Sequence, residues 1–411
     1  MNSVGICLKT SWQAIEAIMG CMQAGMQVCI LNVNWPAISV DGALHRLGIE
    51  NVLTTRTDLR ARSLGISTFR IDRIQQYQVR NLDINATTIL HTSGSSIEPK
   101  AVLHSVQSHI FSANSVITNL NLGDTDRWLL SLPIWHVSGM SIVFRCLIAG
   151  SEIIVLPPEA SLFESLSKYR ITHVSMVSTQ LMQVMNQACP ASLRAVILGG
   201  GPTPAHVVER AINNGWPIQT TYGMTETSSM VTLSDKNFSI SSSGYALQGY
   251  DVKIATDREI LVRSPAVCSG YLYEGKLQSV VDEDGWFHTG DLGQLNGAGE
   301  LYVQGRKDNM FISGGENISP EEIEHILGRF SKVKEVIVVP VPDAKYGQRP
   351  VAFIRGLSEF GGLREFLEDH LPKYQIPICY TWPDRIPSIS FKRNRKSFSK
   401  LAIQLQENSS L

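Results

Sequence analysis

The apolar positions of this chain switch repeatedly between strand-like runs and helix-like spacing. Val4 to Leu8 is a short apolar run. Ser11 can cap a helix reaching about Ala24, with Ala14, Ile15, Ile18, Met19 and Met22 on one face and Gly25 as its stop. Gln27 to Leu31 predicts a second strand, so the chain opens on a strand–helix–strand unit. The alternation continues with a helix near Ala43 and strands at Val52 to Thr54 and Thr68 to Ile71. A helix over Ser105 to Leu120 follows, then a buried strand over Trp128 to Pro133 and an apolar helix ending near Ala149. Strands at Ile153 to Leu156, His173 to Val177 and Ala195 to Leu198 are then interleaved with helices at Ser161 to Tyr169, Gln180 to Gln187 and His206 to Asn213. This is the pattern of doubly wound α/β sheets, whose ligands gather at the carboxyl ends of strands.

From about residue 240 the texture changes. Short strands at Val252 to Ile254 and Ile260 to Val262 alternate with glycine-rich turns, predicting a small β-rich subdomain. After Gly305 the pattern becomes that of a compact α+β unit. It has helices at Pro320 to Leu327 and near Leu363 to Leu371, and strands at Val333 to Pro340 and Pro350 to Ile354. The expected boundary lies at Gly305 to Asp308, giving a large unit over 1–305 and a smaller one over 306–411.

Composition narrows the function. Among 411 residues, 36 basic side chains balance 37 acidic ones, which argues against a nucleic-acid or membrane-surface protein. No apolar run reaches the length of a membrane span, and no signal peptide is visible, so the cytoplasm is the default. The seven cysteines are scattered, with no paired spacing, and read as thiols in a reducing compartment. A homodimer is the base-rate expectation for the assembly.

Five stretches carry candidate chemistry. In Thr87 to Leu103 an apolar strand meets Thr92, Ser93, Gly94, Ser95 and Ser96, then Lys100. Small residues let backbone N–H groups approach phosphate oxygens, hydroxyls donate to them and the ammonium adds countercharge; the alternative is a polar surface turn. Gly199, Gly200 and Gly201 follow a strand and precede a helix, as a ligand-approaching loop or as a tight turn. In Tyr222-Gly223-Met224-Thr225-Glu226-Thr227 the tyrosine can stack on a base, Thr225 can meet a phosphate and Glu226 can hold a hard cation; otherwise this is a polar loop. Asp291, after a glycine turn, can accept both hydroxyls of a ribose, or can simply make an Asx turn. Arg306 can reach a phosphate or ribose and Asp308 can serve as a hinge, against the alternative of a charged linker. Lys392 by itself is an ordinary surface charge, and His136 in its apolar context an ordinary packed histidine.

The order and spacing of these stretches together resemble the adenylate-forming enzymes, the superfamily of acyl- and aryl-CoA ligases, peptide-synthetase adenylation domains and luciferases. HTSGSSIEPKAV, TTYGMTET, WFHTGDLG, GRKDNMFISGGENISPEEIE and the late lysine follow in that family's order and span nearly the whole chain. Within the family, WLLSLPIWHVSGMSIVFR, THVSMVSTQL and AVILGGGPTP look like the o-succinylbenzoate–CoA ligases. The resemblance implies ATP, Mg²⁺ and coenzyme A as the reactants and cofactor, a carboxylic acid as substrate, a large adenylate-forming domain and a mobile C-terminal lid. It implies that Thr92, Ser93, Gly94, Ser95, Ser96 and Lys100 embrace the β- and γ-phosphates, that Gly199 to Gly201 with Tyr222 and Gly223 enclose adenine, and that Thr225 meets the α-phosphate. It further implies Glu226 on Mg²⁺, Asp291 and Arg306 on the ribose, Lys392 on the attacking carboxylate, Asp308 as hinge, Gly314 and Gly315 along the pantetheine path, and His136 as a gate to the acyl pocket. A second carboxylate on such a substrate needs a buried partner, and Arg145 is the candidate.

The sequence departs from the family pattern at Ile97 and Ala101, where glycines are usual, and at Phe391 in place of the glycine before Lys392; Lys396 and Lys400 are the alternative lysines. The resemblance implies an N-terminus that begins roughly 40 to 50 residues late against the family pattern, leaving the first strand–helix–strand unit exposed.

Overall fold

The computed structural model describes residues 2–59, 67–69, 82–92, 99–157, 159–235, 238–331, 333–383 and 395–409. Two sheets form the large part of the molecule. The first has eight strands in the order Lys276–Gln278, Gly270–Tyr273, Ala101–Ser105, Thr87–His91, Gln27–Ile30, Ser3–Cys7, Asn51–Thr54 and Ser67–Phe69. Its last five strands are mutually parallel, and the first three join antiparallel. The second sheet is parallel throughout, in the order Ile218–Thr220, Ala195–Leu198, His173–Met176, Arg127–Leu129 and Glu152–Ile154. One apolar cluster draws on both sheets, with Ile6 and Leu90 from the first and Ile197 from the second, through Phe144 and Ile142 of the helix Val137–Ala149. That helix is buried at nine positions, from Val137 to Cys146, as an apolar-all-round helix between layers must be.

The expected elements appear close to their predicted places. Ser11 caps the helix Trp12–Gln23 by accepting from the Ala14 N–H at 3.2 Å. The predicted strand over Trp128 to Pro133 is shorter, only Arg127–Leu129. The Ser131 N–H turns back to the Leu129 carbonyl at 2.9 Å, and Pro133 has no N–H to extend the ladder. Gly139 inside the next helix lets it pack on this turn, since a Cβ there would stand 2.2 Å from the Pro133 carbonyl oxygen. The predicted strand ending at Ile71 is described only as Ser67–Phe69, with residues 70 and 71 outside the described set.

A four-stranded antiparallel sheet follows, Asp251–Ile254, Glu259–Arg263, Phe287–Leu295 and Leu301–Arg306. Sequence patterning missed the hairpin Gly270–Tyr273 and Lys276–Gln278, which leaves this region to rejoin the first sheet. Glu274 and Gly275 turn it with φ of 46° and 74°, the backbone of a type I′ turn.

The C-terminal part holds Glu335–Asp343 antiparallel to Gly347–Arg355, with Ile378–Thr381 parallel on the other side. Strand alternation sends Val336 and Val338 to one face and Ile337, Val339 and Val341 to the other. The helices Pro320–Leu327 and Leu363–His370 cover the first face and Arg395–Ser409 the second. A bond of 3.0 Å between His206 Nδ1 and the Gly328 carbonyl joins this part to the helix Ala205–Asn213. Among the described residues no helix is long and apolar enough to cross a membrane.

Candidate functional site

The candidate residues lie on loops after the carboxyl ends of strands, where parallel sheets leave open crevices. The strand Thr87–His91 delivers Thr92, whose N–H donates to the Lys100 carbonyl at 3.0 Å, closing the neck of the loop between them. Ser93, Gly94, Ser95 and Ser96, with Ile97, lie outside the described residues. Lys100 is exposed, and its Nζ sits 4.5 Å from the ring centre of Tyr271.

Gly199 follows the strand Ala195–Leu198, and Thr221 follows the neighbouring strand Ile218–Thr220. A Cβ on Gly199 would stand 2.7 Å from Thr221 Cγ2, and Gly200 takes φ +83°, so the glycines permit both the turn and the close approach. Gly201 continues the loop into the helix Ala205–Asn213. The glycine loop thus lies beside the Tyr222 segment.

Two polar chains start from that segment. In the first, the buried Tyr222 hydroxyl donates to Asp291 Oδ2 at 2.8 Å, and Asp291 Oδ1 pairs with Arg306 Nη1 at 3.1 Å. Burial and the neighbouring carboxylate raise the Tyr222 pKa well above the usual phenol value, so the hydroxyl stays a donor. Asp291 and Arg306 face each other across the ladder of Phe287–Leu295 and Leu301–Arg306. Arg306 Nη2 reaches Asp308 Oδ2 at 3.4 Å in the short turn Lys307–Asn309.

In the second chain, Glu226 Oε1 accepts from the Tyr271 hydroxyl at 2.7 Å. Glu226 stands in the 3₁₀ turn Thr225–Thr227, beside the half-buried Thr225. The turn is held on all sides. Thr227 Oγ1 donates to the Met224 and Ser229 carbonyls at 3.1 and 2.9 Å, and the Cys268 N–H donates to the Glu226 carbonyl at 2.7 Å. Gly223 admits the returning chain, since a Cβ there would be 2.0 Å from the Ser229 carbonyl oxygen. Ser228 and Ser229 carry positive φ of 54° and 109°, backbone strain placed directly behind Glu226. No group of three His, Cys, Asp or Glu side chains able to hold a metal occurs among the described residues. A lone carboxylate suits a magnesium ion held chiefly by phosphate oxygens and water, so Glu226 fits such an ion as its one protein anchor.

Arg145 lies on the helix Val137–Ala149 and is 1% exposed. Its Nη2 donates to Ser141 Oγ at 2.9 Å and approaches Ser229 Oγ at 3.5 Å, and its guanidinium lies 4.9 Å from the Trp128 ring centre. Among the described residues no carboxylate pairs with it, and its Nε has no hydrogen-bond partner. Burial pushes its pKa down to about 10. His136 occupies the N-cap position of the same helix and is half-buried, not the packed core residue that its apolar neighbours suggest. Gly314 and Gly315, with φ of 60° and 92°, turn the hairpin between Phe311–Ser313 and Glu316–Ile318. The contacts of Gly314 run to Tyr346, whose carbonyl accepts its N–H at 2.9 Å. Lys392 and Phe391 lie outside the described residues. Sequence reasoning missed Tyr271, whose only signal is the alternating YLYEGKLQ pattern.

The chain is similar along most of its length to known proteins. The family model described as AMP-binding enzyme matches residues 2–272, and that of the AMP-binding enzyme C-terminal domain matches residues 322–388. The 2-succinylbenzoate–CoA ligase of Salmonella typhimurium is 34% identical over 402 residues, covering 96% of this chain and 87% of that protein. The Bacillus subtilis enzyme of the same name is 30% identical, covering 94% and 85%. The solved Bacillus subtilis o-succinylbenzoate CoA synthetase (MenE) in complex with the acyl-adenylate intermediate OSB-AMP superposes with a TM-score of 0.85 at 30% identity, over 97% of this chain and 88% of that one. The same enzyme with ATP and magnesium ion gives 0.83 at 30% identity, over 96% and 88%.

Proposed function

The chain belongs to the AMP-binding enzyme family, and from that premise we propose that it is an ATP-dependent 2-succinylbenzoate–CoA ligase serving menaquinone biosynthesis. The observation that carries the reading is the pair of polar chains leaving one segment, Tyr222–Asp291–Arg306 and Glu226–Tyr271–Lys100, which gather motifs far apart in sequence at one strand-end crevice.

The reaction has two halves. A substrate carboxylate oxygen attacks the α-phosphorus of ATP and pyrophosphate leaves, giving the acyl-adenylate. The thiol of coenzyme A then attacks the acyl carbonyl, losing its proton, and AMP leaves. In the first half Thr92, Ser93, Gly94, Ser95, Ser96 and Lys100 hold the β- and γ-phosphates. Gly199, Gly200, Gly201, Tyr222 and Gly223 enclose adenine, and Asp291 with Arg306 holds the ribose. Thr225 meets the α-phosphate and Glu226 anchors magnesium, which when bound offsets phosphate charge. Lys392 reaches the α-phosphate and the attacking carboxylate, where preplaced positive charge is worth about 3 kcal/mol to a transition state. His136 stands at the mouth of the acyl pocket, and Arg145 meets the substrate's second carboxylate.

The boundary between catalytic and lid domains falls at 305/306, and the lid turns about Asp308 between the two halves. That turn brings Gly314 and Gly315 to the pantetheine arm and requires the His206–Gly328 bond to break. Seven unpaired thiols support a cytoplasmic setting. A homodimer is proposed on the prevalence of two-fold assemblies alone.

ATP–pyrophosphate exchange against a panel of carboxylic acids tests the reading. Exchange with o-succinylbenzoate above all others is expected. Exchange with a different acid would reassign the substrate, and none with any acid would leave only a nucleotide-binding relative.

A further inference from the structure

We propose that Tyr271 is a positioning residue for adenylation, orienting the Glu226 carboxylate through its hydroxyl and the Lys100 ammonium through its ring. The inference rests on the roles of Glu226 and Lys100 proposed above. The phenol oxygen lies 2.7 Å from Glu226 Oε1, and Lys100 Nζ lies 4.5 Å from the ring centre. Both contacts are built into the backbone. Tyr271 stands opposite Val102 in the antiparallel ladder of Gly270–Tyr273 with Ala101–Ser105, and Lys100 is the residue just before that second strand. The Cys268 N–H, three residues before Tyr271, donates to the Glu226 carbonyl at 2.7 Å, so the same segment also pins the main chain of the Glu226 turn.

The chemistry of the contacts matters more than their number. A lysine or arginine on Glu226 would fix it equally well but would compete with a divalent cation for its charge. A neutral phenol fixes one carboxylate oxygen and leaves the charge intact, which is what an outer partner of a metal ligand must do. Among the described residues the Glu226 side chain bonds only through Oε1, so Oε2 remains for the cation. The same logic holds for Lys100. A carboxylate partner would neutralise the ammonium, whereas the ring face steadies it and leaves its charge for a phosphate. One side chain thus presents an anion and a cation, neither neutralised by a partner among the described residues, toward a magnesium–polyphosphate that needs one of each.

The test is calorimetric ATP binding to the full-length protein, with and without magnesium and with no acid substrate present. Tyr271→Phe keeps the ring and removes the hydroxyl; Tyr271→Leu removes both. In Tyr271→Phe the magnesium-dependent gain in ATP affinity should fall by about tenfold, the loss expected for a hydrogen bond to a charged group. Its magnesium-free affinity should stay within about twofold of the native protein, which also reports an intact fold. Tyr271→Leu should weaken magnesium-free binding a further two- to fivefold, the order of an exposed cation–π contact. An undiminished magnesium gain in Tyr271→Phe, alongside its loss in Glu226→Gln, overturns the proposal alone. A magnesium gain that survives in Glu226→Gln overturns it together with the reading of Glu226. Magnesium-free binding as tight in Tyr271→Leu as in Tyr271→Phe overturns the Lys100 half.

Discussion

The Tyr222 hydroxyl donates to Asp291 Oδ2 at 2.8 Å while Arg306 occupies Oδ1 at 3.1 Å, so Asp291 is oriented from both sides before any nucleotide arrives. A ribose hydroxyl meeting this carboxylate finds it already oriented and ionised beside Arg306. Asp291→Asn should therefore raise KM for ATP by at least about tenfold, since it weakens charge-assisted bonds to both ribose and Arg306. Tyr222→Phe should raise it only a few-fold, since it removes one neutral donor. Steady-state kinetics in ATP checks both, and equal effects would argue that the carboxylate is not the ribose contact.

Arg145 is buried without a carboxylate partner among the described residues, an arrangement that costs stability unless a ligand supplies the anion. Arg145→Ala should raise KM for o-succinylbenzoate by about tenfold or more and leave KM for ATP near its native value. Arg145→Met should raise the melting temperature of the unliganded protein while impairing catalysis in the same way. An unchanged KM for the acid in Arg145→Ala would remove the assignment.

Lys392→Ala should abolish pyrophosphate exchange and largely spare thioester formation from a preformed acyl-adenylate. Single-turnover assays of the two halves separate them, and equal loss of both would contradict the role proposed for this lysine.

Arg395, itself half-buried, clamps the buried Glu324 carboxylate. Its Nη1 donates to Glu324 Oε1 at 2.6 Å, and its Nη2 to Glu324 Oε2 and Glu321 Oε1, both at 2.9 Å. Asn309 Nδ2 also bonds Glu321 Oε1, at 2.6 Å, so the clamp extends to the residue beside Asp308. Arg395→Ala strands the Glu324 carboxylate and should cost about 3–5 kcal/mol, seen as an early unfolding transition in urea. Glu324→Gln should cost less, because it leaves no buried charge behind on its own side.

Three core histidines make the protein acid-sensitive. Burial holds His91 at about 4 and His109 at about 3, and pushes His104 well below the usual value with help from His109. The unfolded chain takes up these protons near pH 6.5 and the folded one does not, so the unfolded state binds more protons between those values. Stability should be full above about pH 6.5 and decline steadily down to about pH 3. His109 bonds the Thr88 hydroxyl at 2.7 Å and stacks on Phe144 at 4.5 Å. The double substitution Thr88→Val and His109→Phe should flatten that decline in urea titrations run at successive pH values.

Local rules made much of the chain legible. The helix Pro320–Leu327 was bounded to the residue, because proline opens it and Glu321 and Glu322 sit in its first turn. The strand Ala195–Leu198 and its glycine loop were equally plain. What escaped depends on distant partners. The run at Trp128 to Pro133 looks like one strand, and only the turn of Ser131 back to Leu129 ends it early. His104 and His109 lie in a polar-looking segment, and both are buried by distant partners, Ser228 against the first and Phe144 against the second. Tyr271 owes its place to a strand pairing across about 170 residues, a relation that no local spacing encodes.

That pairing also governs the order in which the protein can be made. Until Gly270–Tyr273 has been synthesised, Ala101–Ser105 is an open sheet edge with unpaired backbone groups, on a chain that already holds most of two sheets. Open edges recruit other strands, so the nascent or C-terminally truncated chain carries a site for association that the finished protein closes over itself. Completion of the first sheet therefore waits on a strand about 170 residues further along the chain.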